Sequence, residues 1–191
     1  MNGPPLGAGD AASRSPSSSR RDALRAASGE VAVHPVTPEK LPHLWEMVLE
    51  LADYERMKHL VSGTPEQLGR LLFGGSAGLE GLVAEQAGRL VGYALYYPRY
   101  SSFRTCARLW LEDLYVAPAA RGSGAGRALL AEVARIAIAR GCDRVDWDVL
   151  EWNQLAIDFY ERQGGNRVVA DWVQFGMDDA ALRRLAERDS A

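Results

Sequence analysis

One stretch of the sequence decides the fold: residues 109–140, LWLEDLYVAPAARGSGAGRALLAEVARIAIAR. Its first eight residues are mostly aromatic, branched or leucine side chains, which predicts a β-strand. Pro118 ends that strand, because proline has no N–H to donate to a ladder. Glycines on alternate positions then open an amphipathic helix, which Gly141 closes. The stretch therefore predicts a strand, a glycine-rich turn and a helix in direct succession.

A glycine-rich turn at a helix N-terminus predicts a site for a phosphate-bearing ligand. Small residues let the backbone approach the ligand, and the free N–H groups of the first turn and the positive end of the helix dipole face it. A P-loop needs Lys and then Ser or Thr after its last glycine, but Arg127 and Ala128 follow Gly126. The dinucleotide-binding fingerprint needs a glycine at position 127. Neither of these loops fits.

The pattern that fits is Arg-x-x-Gly-x-Gly, filled by Arg121, Gly124 and Gly126. It resembles the pyrophosphate loop of the GCN5-related N-acetyltransferases, which bind acetyl-CoA. A turn that merely joins a strand to a helix is the alternative. The resemblance implies that the loop binds the cofactor through a run of consecutive residues: Arg121, Gly122, Ser123, Gly124, Ala125, Gly126 and Arg127.

Length, composition and charge indicate one ordinary globular domain. The chain has 191 residues, of which 47% are hydrophobic and 25% charged, with a net charge of -3. That acidic balance disfavours nucleic acid and anionic membranes as partners, and no apolar run is long enough to span a bilayer. Cys106 and Cys142 form no disulfide framework, so we expect a reduced, cytoplasmic protein. The three histidines show no metal-ligand spacing, and we expect no metal.

The first 28 residues differ in composition from the rest. They are rich in Ser, Ala, Gly, Pro and Arg and have no hydrophobic period, which predicts a disordered leader. An organelle transit peptide is the alternative, although Asp10 and Asp22 count against it. Residues 29–191 are expected to form a single domain.

The hydrophobic pattern predicts an α/β fold in the order β-α-α-β-β-β-α-β-α-β-β. Asn153 and Thr64 are expected to cap helices, and a polar connection is expected at 98–105. This order, across residues 30–178, is that of the acetyltransferase family, whose mixed, splayed sheet is flanked by helices. The predicted strands are 31–34, 82–85, 90–97, 109–116, 144–150, 168–169 and 172–175. The predicted helices are 41–58, 66–73, one from the glycine-rich turn to Arg140, and 154–163.

Three further segments sharpen the resemblance: residues 52–55 (ADYE), 111–116 (LEDLYV) and 151–162 (EWNQLAIDFYER). They resemble the spermidine/spermine N-acetyltransferases and their relatives that acetylate thialysine, ornithine or other small diamines. The resemblance implies that Glu112 faces the substrate amine and that Tyr160 protonates the leaving CoA thiolate. It also implies a cofactor arm along Leu114, Tyr115, Val116, Asn153, Ala156, Tyr160 and Arg162, and an amine site formed by Tyr54, Glu55, Glu112, Asp113 and Asp171.

The chemistry of these residue types agrees with that assignment. An alkylammonium, with a pKa near about 10.4, must lose a proton before it attacks a thioester, and a carboxylate such as Glu112 can attract it and accept that proton. Tyr160 can donate to a thiolate, and a backbone N–H at a strand irregularity near Leu114 can polarise the thioester carbonyl. Strand alternation places Asp113 on the face opposite Glu112, so only one of the two need serve the site.

We therefore expect direct acetyl transfer from acetyl-CoA to a small di- or polyamine, with no acyl-enzyme, because neither cysteine has a plausible base beside it in the sequence. A peptide or protein N-terminal acetyltransferase is the second reading, and an inactive acyl-CoA-binding module is the third. Relatives of this type are homodimers, and a symmetric dimer is the commonest oligomer, so a homodimer is expected.

Overall fold

A computed structural model describes residues 29–75, 78–167 and 175–188. The predicted leader at 1–28, the predicted strand at 168–169, most of the strand at 172–175 and Asp171 lie outside these ranges. The chain divides into two compact units, one that ends at Asp148 and one that begins at Val149. They are described in turn.

The first unit contains all the strands among the described residues. Its elements follow the predicted order β-α-α-β-β-β-α-β. They are β1 (Ala32–Pro35), α1 (Leu41–Tyr54), α2 (Pro65–Phe73), β2 (Glu80–Gln86), β3 (Arg89–Ser101), β4 (Cys106–Val116), α3 (Ala125–Ala139) and β5 (Val145–Asp146).

The strands form one five-stranded mixed sheet in the order β1-β2-β3-β4-β5. The first four pair antiparallel, and β5 pairs parallel to β4. The predicted α/β architecture with a mixed sheet flanked by helices is confirmed. Among the described residues, no helix is both long and apolar enough to cross a membrane.

Helices cover both faces of the sheet, and the strands alternate their side chains between two apolar clusters. On one face, Leu82, Leu109 and Leu111 pack with α3 residues such as Leu129 and Val133. On the other face, Val83, Tyr93, Leu95 and Tyr115 pack with α1 and α2 residues such as Leu44 and Leu68. Each buried aliphatic side chain contributes on the order of 2 kcal/mol, so these two layers fix the sheet between the helices.

Local signals in the sequence set the ends of the helices. Thr64 and Gln67 form a capping box that starts α2, with Pro65 in its first turn, as predicted. Gly141 ends α3 with a φ of 67°, in the left-handed region that favours glycine. The helix predicted at 41–58 is shorter, because α1 ends at Tyr54 and Arg56 takes a φ of 61°.

Two predictions about the strands are wrong in extent. Half of the connection expected at 98–105 is strand, because β3 continues to Ser101 and Pro98 pairs with Leu109. The pairing of β2 with β3 begins at Tyr96, so β3 beyond it is an edge on that side and tolerates proline. The strand expected at 144–150 is reduced to Val145–Asp146 in its ladder with β4.

The second unit contains two helices among its described residues, α4 (Gln154–Arg162) and α5 (Asp179–Arg188). Asn153 caps α4 as predicted, and Gly164 closes it with a φ of 89°. The helix α5 was not predicted. An aspartate before a helix is a common N-cap, and the Asp178 carboxylate accepts a hydrogen bond from the Ala181 N–H at 2.7 Å. Phe175 lies outside any strand.

Candidate active site

The glycine-rich loop forms an open cradle at the start of α3. Gly122 and Gly124 have φ values of 84° and 92°, and no described atom lies within 4 Å of the position a Cβ would occupy at either residue. The backbone here needs glycine, and the space beside it holds no atom of the described residues. The first-turn N–H groups of α3 lack intrahelical partners. The loop therefore has the shape and polarity that a phosphate site requires, and phosphate binding there stays a prediction.

Arg121 ties this loop to the end of α1. Its Nε donates to the Val116 carbonyl oxygen at 3.3 Å, and its guanidinium lies 5.0 Å from the ring centroid of Tyr54. Tyr115 also connects β4 to α1, because its hydroxyl donates a hydrogen bond to the Glu50 carboxylate at 2.7 Å. The end of β4, the loop and α1 are thus joined by polar contacts that local sequence patterns do not show.

One edge of β4 is open where the cofactor arm is expected. The parallel ladder joins β4 to β5 only at Leu109–Val145 and Trp110–Asp146. Within the described ranges, β4 has no strand partner on that side from Leu111 to Val116, while its other side pairs with β3. An open strand edge offers N–H and C=O groups to an extended ligand. The predicted cofactor residues Leu114, Tyr115 and Val116 all lie along it.

A β-bulge interrupts β4 at Glu112. Leu95 pairs with Asp113 and Tyr96 pairs with Leu111, so Glu112 is the extra residue that faces no partner on β3. The strand irregularity that the sequence placed near Leu114 is therefore at Glu112. A bulge takes one residue out of the ladder and changes which side chains lie on each face.

This bulge overturns the expected orientation of Asp113. Before it, odd-numbered residues such as Leu111 face the α3 side; after it, even-numbered residues such as Leu114 do so. Asp113 consequently shares the α1 face with Glu112, and the Tyr93 hydroxyl donates to its carboxylate at 3.3 Å. Strand alternation had predicted opposite faces, and it failed because the extra residue shifts the alternation by one.

The carboxylates on this face perturb one another. Burial, and then the negative charge of Glu112 and that of Glu55, raise the pKa of Asp113 to about 6, against a lowering by the hydrogen bond from Tyr93. Burial also raises the pKa of Glu55. Burial and the charge of Asp113 raise the pKa of Tyr93 well above its usual value. Burial and mutual repulsion disfavour the ionised carboxylates on this face, so a bound cation would stabilise their charged forms.

The raised pKa of Asp113 predicts a pH-dependent effect of Asp113→Asn. The folded protein holds a proton on Asp113 that the unfolded chain releases, so this group favours folding below about pH 3.9 and the benefit is lost as the pH rises through about 6. The variant should therefore be more stable than wild type by about 1–3 kcal/mol near pH 7.5 and equal to it near pH 3.5. Urea unfolding at both pH values measures this. Asp53→Asn, at an exposed position, is measured beside it as the control, and a pH-independent difference for Asp113→Asn would contradict the assignment.

Beyond the bulge, the same face carries aromatic side chains that sequence analysis did not assign to the site. The Trp110 indole N–H donates to the Glu112 carboxylate at 2.9 Å. Tyr97 lies directly across from Trp110 on β3 and also contacts Glu112. Arg99 lies over the Trp110 ring, 4.7 Å from its centroid. The sequence did contain a signal for this grouping: Tyr93, Tyr97 and Arg99 occupy odd-numbered positions of β3 and therefore share one face of the strand.

The second unit carries the remaining predicted residues. Asn153 is 7% exposed, and its Oδ1 accepts from the Ala156 N–H at 3.2 Å. Tyr160 is half-buried on α4, with its ring edge-to-face against Phe159 at 5.2 Å. Arg162 is exposed in the last turn. The cap explains why Asn153 is buried, and the roles of these residues toward a ligand stay predictions.

Comparison with known proteins decides the family. The family model described as the acetyltransferase (GNAT) family matches residues 45–165, a span that runs from α1 through the bulged strand and the glycine loop to the end of α4. The chain belongs to the GNAT family. It is accordingly an acyltransferase, and members of this family use acetyl-CoA as co-substrate.

Similar relatives act on small amines, as their names state. The chain is 35% identical over 155 residues to a thialysine N-epsilon-acetyltransferase of Mus musculus, covering 76% of this chain and 91% of that protein. It is 37% identical over 96 residues to an L-ornithine N5-acetyltransferase of Arabidopsis thaliana, covering 50% of this chain and 42% of that protein. A V. cholerae integron cassette protein shares the fold, with a TM-score of 0.68, 24% identity and coverage of 83% and 98%.

The structure brings part of the predicted amine site together. Glu55, Glu112 and Asp113 interact electrostatically on one face of the sheet, and Tyr54 lies beside the loop through Arg121. Asp171 lies outside the described residues. The first unit therefore offers two features: a glycine-rich loop beside a strand edge that has no partner among the described residues, and a carboxylate face on the same strand.

Proposed function

We propose that this GNAT acetyltransferase moves the acetyl group of acetyl-CoA to the primary amine of a small di- or polyamine by direct transfer. The observation that carries the proposal is the bulge at Glu112, which turns two adjacent carboxylates onto one face at the point where β4 loses its second partner strand. An amine held by those carboxylates lies next to a strand edge suited to an extended thioester arm. The relatives named for thialysine and ornithine support the amine class.

The residues present fit acetyl-CoA. The open cradle at Gly122 and Gly124 suits the pyrophosphate, and the free edge of β4 from Leu114 to Val116 suits an arm that pairs like an added strand. Bound there, acetyl-CoA supplies an activated acetyl thioester. Arg121, fixed by the Val116 carbonyl and the Tyr54 ring, positions the loop.

The carboxylate face captures the amine and removes its proton. Glu112 and Asp113 attract the ammonium, and a bound cation also relieves the repulsion among Glu55, Glu112 and Asp113. A carboxyl group whose pKa is near 6 is better matched to proton transfer at neutral pH than an ordinary aspartate. We assign the proton to this pair of residues, directly or through water.

The proposed transfer balances as follows. The amine lone pair forms a bond to the acetyl carbon, the carbon–sulfur bond breaks, the ammonium proton goes to the carboxylate pair, and the thiolate takes a proton from the Tyr160 hydroxyl. A backbone N–H released from the ladder at the bulge donates to the thioester oxygen as negative charge develops on it. The products are an N-acetylamine and CoA.

A thiol-release assay with acetyl-CoA tests the function. Spermidine, thialysine, ornithine and diaminopropane form one arm, and a peptide with a free N-terminus forms the other. Turnover with at least one small amine and none with the peptide is the expected result. Turnover with the peptide alone would favour N-terminal acetylation, and acetyl-CoA binding without any turnover would favour an inactive binding module.

Glu112→Gln should impair amine capture. The change keeps the shape, and an amide oxygen can still accept from the Trp110 N–H, but the negative charge is lost. We expect the KM for the amine to rise about 10-fold or more and the rate optimum to move to higher pH, because more of the free amine must form in solution. Steady-state kinetics across pH measure both changes. Glu46→Gln, at an exposed position on α1, is the control, and wild-type kinetics from Glu112→Gln would remove Glu112 from the site.

We also propose that the protein is a homodimer, because relatives of this type are dimers and two-fold symmetry is the commonest assembly. Light scattering at micromolar concentration should give twice the mass of the 20.9 kDa chain. A monomer mass that persists as the concentration is raised would contradict the dimer.

A further inference from the structure

The face of the sheet that carries Glu112 and Asp113 also carries a positive charge, that of Arg99. Arg99 lies on β3 two residues beyond Tyr97, and its guanidinium lies 4.7 Å from the ring centroid of Trp110. The Trp110 indole N–H in turn donates to Glu112 at 2.9 Å. A single indole therefore separates this cation from the carboxylate to which we assign amine capture.

Within the described ranges, the charge of Arg99 has no ion-pair partner, whereas that of its neighbour Arg108 has two. Arg108, directly across the ladder, pairs with Asp143 at 3.1 Å and with Asp146 at 3.6 Å. Arg99 is exposed and forms no ion pair with any residue in the described part of the chain. A guanidinium stacked on an aromatic ring keeps the N–H donors at its edge available, and these match a carboxylate in a two-pronged hydrogen bond.

A negative charge also acts on the same cluster. Burial, and then the charges of Glu112 and Asp148, raise the pKa of Tyr97, whereas Arg99 lowers it. The pKa of Tyr97 is thus lowered by the positive charge of Arg99 and raised by the negative charge of Asp148, which is exposed. Opposite charges around one aromatic pair suit a ligand that carries both an ammonium and a carboxylate.

We propose that the acceptor is an α-amino acid with a second amino group at the end of its side chain, and that Arg99 binds its α-carboxylate. The inference rests on the proposed function. The side-chain amine reaches Glu112 and Asp113, and the methylene chain lies along the Trp110 ring. In ornithine or lysine, the extended side chain separates the α-carboxylate from the terminal amine. That separation is comparable to the one between Arg99 and Glu112, which both contact the Trp110 indole.

The same residue would discriminate against simple diamines. Without the carboxylate, the second ammonium of a diamine comes to lie near the Arg99 guanidinium, and like charges in a shared site repel. Arg99 therefore adds an attractive contact for the amino acid and a repulsive one for the diamine. Specificity by charge in this way needs no change in the carboxylates that hold the reacting amine.

The test compares matched substrates that differ by the carboxylate alone: ornithine against putrescine, and lysine against cadaverine. With acetyl-CoA saturating, wild type should show a kcat/KM for the amino acid about 10- to 100-fold above that for its diamine. Arg99→Gln should reduce that ratio by a similar factor, chiefly through the KM of the amino acid. Arg99→Lys should retain part of the preference, and Arg89→Gln, an exposed arginine at the other end of β3, should retain all of it.

Three outcomes would overturn the inference, each in a different way. A wild-type preference for the diamines shows that Arg99 does not read a carboxylate. An equal loss on both substrates in Arg99→Gln shows that the side chain only supports Trp110. Failure of wild type to acetylate any of the four amines overturns this inference, and the proposed function falls with it only if spermidine, thialysine and diaminopropane are not acetylated either.

Discussion

Gly124→Val is expected to abolish measurable acetyl-CoA binding. Gly124 precedes α3 with a φ of 92°, in open space where we place the pyrophosphate. A valine there puts two methyl groups into the cradle and strains the backbone away from the conformation that aims the first-turn N–H groups at the ligand. We expect affinity to fall by at least about 10²-fold, since several charge-assisted hydrogen bonds are lost together. Isothermal calorimetry with acetyl-CoA measures the change.

Backbone strain alone must be separated from blocked binding, and the chain offers a matched position. Gly141 also has a positive φ, 67°, and also has no described atom within 4 Å of a built Cβ, but it lies at the far end of α3. Gly141→Val should lose comparable stability, on the order of 1–2 kcal/mol, and keep its affinity for acetyl-CoA. Equal loss of affinity in the two variants would mean that helix stability, and not the loop, governs binding.

Tyr160→Phe is expected to lower kcat by about 10²-fold while the KM for acetyl-CoA changes little. The substitution removes one hydroxyl and keeps the ring, so the edge-to-face contact with Phe159 persists and α4 should remain folded. If the hydroxyl protonates the departing thiolate, the loss falls on the chemical step. The pH dependence of kcat should also change on the alkaline side, since no tyrosine hydroxyl then has to stay protonated to act as the acid.

Tyr100→Phe is the control for this change, because Tyr100 is 76% exposed near the tip of the β3–β4 hairpin and has no assigned role. It should keep wild-type kcat. A series of acetyl thioester donors with better leaving groups adds a second check, because they should rescue Tyr160→Phe if the hydroxyl acts as a general acid. A wild-type rate from Tyr160→Phe would show that the residue only resembles the tyrosine of the family.

Much of the first unit could be predicted because its signals are local. The capping box at Thr64, the glycine at the end of α3 and the loop from Arg121 to Gly126 each depend on residues a few positions apart. Such signals act before any long-range contact forms. The extent of β5 could not be predicted in this way, because a parallel ladder depends on two strands that are distant in the sequence. The ladder between β4 and β5 ends at the pair Trp110 and Asp146.

The sequence by itself determined the order of elements through α4, the phosphate loop and the acyltransferase family, because periodicity and motif spacing are written along the chain. The tertiary structure alone decided the chemistry of the amine face. Pairing with β3 placed a bulge at Glu112, and that extra residue brought Asp113 to the same face and next to Tyr93. Pairing also carried Arg99, in a segment read as a loop, onto the ring of Trp110. Register between strands is a property of two segments at once, so neither strand alone encodes it.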